Sequence, residues 1–167
     1  MERGKLRMQK AISRSALVQY SVVALSEQLK KGVAELDTLV DLGDLEEGTP
    51  ADLKRRAELQ KYFTDVFLLH KKVQQLTDKV EATPLSNRKH RKRVCSRLNR
   101  GKVELSLAIR RIPFRPNRWK EFSKEIERAV EELTQLDEEC RKIDARAGQL
   151  QQARSRELRR EIRKREA

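Results

Sequence analysis

Apolar residues recur at alternating steps of three and four over long stretches of this chain, and charged residues fill most positions between them. The clearest run is Leu59, Tyr62, Val66, Leu69, Val73, Leu76 and Val80. That spacing predicts a helix with a heptad-like seam, because side chains three and four apart share one face. "TPAD" at 49–52 marks its start, with Thr49 as N-cap, Pro50 at the first helical position and Asp52 in the first turn. The helix is expected over 49–83 and to be roughly 45 Å long at 1.5 Å per residue. A second seam, Val94, Leu98, Gly101, Leu105, Ala108 and Ile112, predicts a helix over 86–112. Gly101 lies on that seam; it lowers helix propensity by about 1 kcal/mol relative to Ala and leaves room for a close neighbour. A third seam runs from Trp119 and Phe122 through Ile126, Ala129, Leu133, Leu136, Cys140, Ile143 and Ala147 to Leu150. It predicts one long helix over 117–165, capped by Asn117, whose stripe thins beyond Leu150 to Leu158 and Ile162.

The N-terminal part is shorter-ranged. Leu17, Val18, Val22, Leu25 and Leu29 recur at helical spacing between cap-competent serines and Gly32. The acidic loop "DLGDLEEG" (41–48) follows, so 1–48 reads as an N-terminal helix and a loop. Between the second and third seams stands "RRIPFRPNRWKEF" (110–122), with Pro113 and Pro116. Proline disfavours helical geometry in the residue before it, so 113–116 is expected to be a corner. Ile112, Phe114, Trp119 and Phe122 around it are placed to plug one end of a core rather than to stack on bases, since stacking aromatics sit exposed among cations. The expected fold is all-α: a single, elongated antiparallel helical bundle over 1–167, with three long coiled-coil-like helices and a shorter N-terminal one.

Composition agrees with that class. Charged residues make up 39% of the chain and aromatics only 4%, the mix of long amphipathic helices. No run of 18 apolar residues exists, so no membrane partner is expected, and Cys95 and Cys140 read as reduced cytoplasmic thiols without zinc-ligand spacing. His70 and His90 have no local partner for a triad or a metal, and His70 reads as an edge histidine against the flank of its seam. The glycines form no phosphate-cradling loop. Neither enzymatic activity, a cofactor nor a small-molecule substrate is expected.

The net charge of +13 points outward, to an anionic partner. Between Arg88 and Lys120 thirteen lysines and arginines face one acid, Glu104, so nearly the whole excess is concentrated there. Its densest part, "RKHRKR" (88–93), falls at the expected start of a helix, where cations oppose the helix dipole. Arg88, Lys89, Arg91, Lys92, Arg93 and Arg97 are the expected anion-facing set, with duplex phosphates as the obvious candidate, contacted without base reading. An acidic protein face is the alternative, and the acidic loop 41–48 of the same chain is another.

At "LSLAIRRIPFRPNRWKEFSKEIERAVEEL" (105–133) the sequence resembles the primary (sigma-70 type) sigma factor of bacterial RNA polymerase, in the variable helical insert between conserved regions one and two. In that insert a helix meets an "IPF.P..W..F" corner and a long helix returns; Ile112, Pro113, Phe114, Pro116, Trp119 and Phe122 occupy those positions. "ERGKLRMQKAISRS" (2–15) is similar to the stretch that follows the conserved helix of region one, and "LVDLGD" (39–44) also fits. Nothing like the "EANLRLV" run of region two is present, so the resemblance implies a piece of a larger factor. It further implies an architectural role in transcription initiation, with contacts to the clamp side of the polymerase core, proximity to promoter DNA, and a monomeric isolated piece. Inserts of other members can be strongly acidic, whereas this one is basic. Read from the residues alone, two rivals stand beside it: a stand-alone basic coiled-coil protein associated with RNA or the ribosome, and a dimerising coiled coil.

Overall fold

A computed structural model describes residues 2–43, 48–145 and 149–166; side chains are described at these positions except 144, 145, 149–156 and 166. The described residues are all-α. Seven helices follow one another: α1 (Glu2–Ile12), α2 (Ala16–Lys30), α3 (Leu36–Leu39), α4 (Pro50–Ala82), α5 (Arg88–Arg111), α6 (Pro116–Ala145) and α7 (Gln149–Glu166). They belong to two compact units, Met1–Phe122 and Ser123–Ala167, where the sequence pattern suggests a single domain.

The first unit is built on the antiparallel pair α4 and α5. Their ends lie where the local chemistry puts them. Thr49 Oγ1 accepts from the amide of Asp52 at 3.2 Å, and Asn87 Oδ1 accepts from that of His90 at 3.4 Å, each meeting an amide that has no helical partner. The expected seams face each other: Val66 and Val73 of α4, and Val94, Leu98, Leu105 and Ala108 of α5, are buried. Gly101 sits where the helices approach closely. A Cβ there would lie 3.3 Å from Val73 Cγ2 and 3.7 Å from Leu76 Cδ1.

The third rod of this unit is α2, not the last long helix. It runs antiparallel to α4 along a second stripe that the heptad reading passes over. Ser26 Oγ donates to the Phe63 carbonyl at 3.2 Å, and the Tyr20 and His70 rings meet edge to face at 4.9 Å. Phe63 is buried, as are Val18 and Val22. Burying each such side chain is worth about 1.5–3 kcal/mol.

α2 is the N-terminal helix expected between the serines and Gly32, and α1 is a further helix before it. The break between α1 and α2 falls at Ser13, which is buried and hydrogen-bonds through Oγ to Ser106 Oγ of α5 at 2.8 Å. Gln19 Nε2 donates to the Ser13 carbonyl at 3.2 Å, so the polar groups at the break are satisfied internally. α3 is pinned to α4 by Arg56, whose guanidinium is bidentate to Asp37 at 2.8 and 3.0 Å and whose Nε reaches Asp52 at 2.9 Å. Asp37, and then Asp52, hold that guanidinium even more firmly protonated than usual.

The corner differs from expectation by one residue. Pro116 itself opens α6, with Asn117 inside the helix rather than capping it. Proline is at home at the first helical position, where its missing amide would lack a partner anyway.

The second unit corrects the single helix expected over 117–165. α6 ends at Ala145, and α7 returns antiparallel to it: Arg165 Nη1 lies 3.2 Å from Glu132 Oε2. In one continuous helix those residues would stand about 50 Å apart. Within this unit Cys140 is buried, and Ile126, Leu133, Leu136, Ile143, Leu158 and Ile162 are half-buried. Ala147 and the side chain of Leu150, both on the expected seam, and residues 44–47 of the acidic loop lie outside what is described.

Candidate functional site

Two groups of residues carry functional expectations, and they behave differently. The corner group is interior. Ile112, Phe114, Trp119 and Phe122 are all buried, and Phe114 is the hub of the cluster. Its ring meets Phe63, Trp119 and Phe122 edge to face, with centroids 5.9, 5.8 and 5.5 Å apart. Edge-to-face pairs of this kind add about 0.5–1.5 kcal/mol each beyond the area they bury. Pro113 is half-buried, and Pro116 is exposed at the start of α6. A short backbone pairing locks the corner in place: the Asp41 amide donates to the Pro113 carbonyl at 2.9 Å and the Arg115 amide to the Leu39 carbonyl at 3.2 Å. Arg115 Nε adds a bond to the Val40 carbonyl at 3.2 Å. No ring of this cluster is available to stack on a base.

The cationic group is superficial, with one exception. Arg88, Lys89, Lys92, Arg93 and Arg97 are exposed on the first three turns of α5. Arg91 turns the other way. Its Nη1 donates to the Val80 carbonyl at 3.1 Å and to the Thr83 carbonyl at 2.7 Å, at the C-terminal end of α4. Cations are favourable at that end of a helix, so Arg91 has a structural role there, unlike the other members of the expected anion-facing set.

The remaining cations are brought together selectively. Lys89, Lys92, Arg93 and Arg97 line a shallow open groove with Ser96 and Arg100. Arg88 is not among its lining residues. Arg100 is the member missing from the expectation, although its spacing from Arg93 and Arg97 places it on the same face. Within the groove the polar contacts are local: Ser96 Oγ donates to the Lys92 carbonyl at 2.9 Å, and Arg100 Nε to the Ser96 carbonyl at 3.3 Å. Among the described residues no carboxylate pairs with any of these five cations. Glu104, the one acid of the segment, lies 3.7 Å from Lys72 of α4. Positive charge therefore accumulates where the amino end of α5 already contributes a positive pole.

Neither histidine joins a reactive constellation. His70 packs on Tyr20 and partial burial lowers its pKa; His90 is exposed. Among the described residues no three His, Cys, Asp or Glu side chains are grouped to hold a metal ion, and no helix is long and apolar enough to cross a membrane. Comparison with family models, curated proteins and solved structures finds no match to this chain.

Proposed function

We propose that this chain is the helical insert between regions one and two of a primary sigma factor. It serves transcription initiation as an architectural and interaction module against the clamp side of the RNA polymerase core, in the bacterial cytoplasm. One observation carries most of the support. Five of the six residues that match the "IPF.P..W..F" pattern are drawn into a corner that closes the core and redirects the chain from α5 into α6, while Pro116 starts the new helix. The pattern thus has a structural reason for each of its members, packing for five and a helix start for Pro116. The module binds and positions; no catalytic step is assigned to it.

Retention of the chain on immobilised core polymerase tests this. The expected result is saturable retention in the absence of DNA. Absence of retention at micromolar concentration overturns it. The cation-lined face of α5 keeps one other reading in view, a stand-alone RNA- or ribosome-associated protein. That reading requires capture by ribosomes or structured RNA and none by the polymerase.

A further inference from the structure

We propose that the stripe Lys89, Lys92, Arg93, Arg97 and Arg100 is a track for the phosphate backbone of a nucleic-acid duplex, gripped without reading bases. The proposal deepens the reading above and rests on it only for where a duplex is met; the stripe itself is argued from its geometry.

Four features point the same way. The stripe is straight and pre-organised, because its members project from consecutive turns of one helix whose other face is packed on α4. From Lys89 to Arg100 it spans roughly 16 Å at 1.5 Å per residue. One strand of a duplex presents a phosphate about every 3.4 Å along its axis, so about five phosphates fall within that length. Because the strand winds around the axis while the stripe is straight, the five cations reach those of the phosphates that face them, five at most. Second, among the described residues no carboxylate pairs with the cations, so little has to be broken there before they engage. Third, Ser96 in the middle of the stripe is small, and its hydroxyl is already turned to the Lys92 carbonyl. The surface stays shallow, as a convex backbone requires. Fourth, no aromatic ring lies in the stripe, while Phe114, Trp119 and Phe122 are committed to the core. Single strands are held largely by stacking on such rings, so the chemistry favours a duplex over an unpaired strand.

Fluorescence anisotropy with the full chain at low salt tests the proposal, using a labelled mixed-sequence DNA duplex of about 20 base pairs. Duplex RNA, single-stranded DNA and poly-glutamate serve as further probes. The wild-type chain is expected to bind the DNA duplex with a log–log salt slope of up to about −4.5, the value for five neutralised phosphates. The double variant Lys92→Gln/Arg97→Gln should weaken binding about tenfold or more and reduce the slope by about 2. A control that removes three charges from α1, Lys5→Gln/Arg7→Gln/Lys10→Gln, should keep the slope. Circular dichroism establishes that both variants remain helical.

Four outcomes overturn the proposal: no duplex binding, tighter binding to the single strand, equal competition by poly-glutamate, or an equal loss in the α1 control. Duplex RNA bound as well as or better than DNA supports the track while weighing against a promoter as its site. The polymerase retention assay contains no DNA and the anisotropy assay no polymerase, so either reading can fail alone.

Discussion

Arg91 of α5 donates a hydrogen bond to the carbonyl of Thr83, 2.7 Å away across the turn between the two long helices. Thr83 is buried and its hydroxyl is already bonded to the Lys79 carbonyl at 2.6 Å, so the guanidinium is what satisfies the open end of α4. Arg91→Ala should therefore lower stability by about 1.5–3 kcal/mol, the range for losing a bond to a charged donor. It should leave duplex affinity close to wild type. Arg93→Ala, one turn-face away and unpaired, should do the reverse. Chemical denaturation and anisotropy on the same two variants separate these roles.

The aromatic plug makes a second expectation quantitative. Phe114 touches Phe63, Trp119 and Phe122 at once, and its removal leaves a cavity that three rings cannot collapse into. Phe114→Ala should cost about 3–5 kcal/mol. Trp119, the only tryptophan, reports locally: its emission should shift to the red as water reaches it. Unchanged emission in a folded variant would contradict the packing described.

Gly101 sets two effects against each other. Alanine there gains about 1 kcal/mol in helix propensity, yet its Cβ must sit 3.3 Å from Val73 Cγ2. A methyl end can yield a few tenths of an ångström, so Gly101→Ala should be near neutral in thermal denaturation. Gly101→Val should overpack the α4–α5 contact and destabilise by about 1–3 kcal/mol.

His70 gives a pH signature. Burial against α2 lowers its pKa below the ordinary value of 6.5, so the unfolded chain takes up the proton first as pH falls. The stability tied to the neutral ring is complete above about pH 6.5 and is lost as pH drops toward the lowered folded value. Thermal melts between pH 7 and pH 5 should show a smaller decline in His70→Gln than in wild type. Identical declines would remove His70 as a contributor.

The long seams and their caps were readable because their causes are local. Thr49–Pro50–Asp52 state the start of α4 in four letters. The corner was equally visible, since two prolines act on their immediate neighbours. What escaped the reading depends on partners far along the chain. Ser13 ends α1 through a bond to Ser106, 93 residues on. Phe63 lies off the heptad seam and is buried because α2 covers it. Arg91 looks like its neighbours in "RKHRKR", and only the end of α4 beside it reveals its separate use. The return of α7 along α6 was hidden because the apolar seam keeps its period from Ile143 to Leu150, so the periodicity carries no sign of a reversal.

The tie between residues 39–41 and 113–115 is made mostly by main-chain atoms, through the Asp41, Pro113, Arg115 and Leu39 amides and carbonyls. Leu39, Val40 and Phe114 are also held by the core, whereas the exposed side chain of Asp41 can change over evolutionary time with little penalty, as long as the backbone keeps its path. Gaining or dropping one residue on either side would put every donor out of step with its acceptor. Relatives of this chain should accordingly hold the length of this junction fixed and keep its buried positions apolar, and vary at exposed positions such as Asp41.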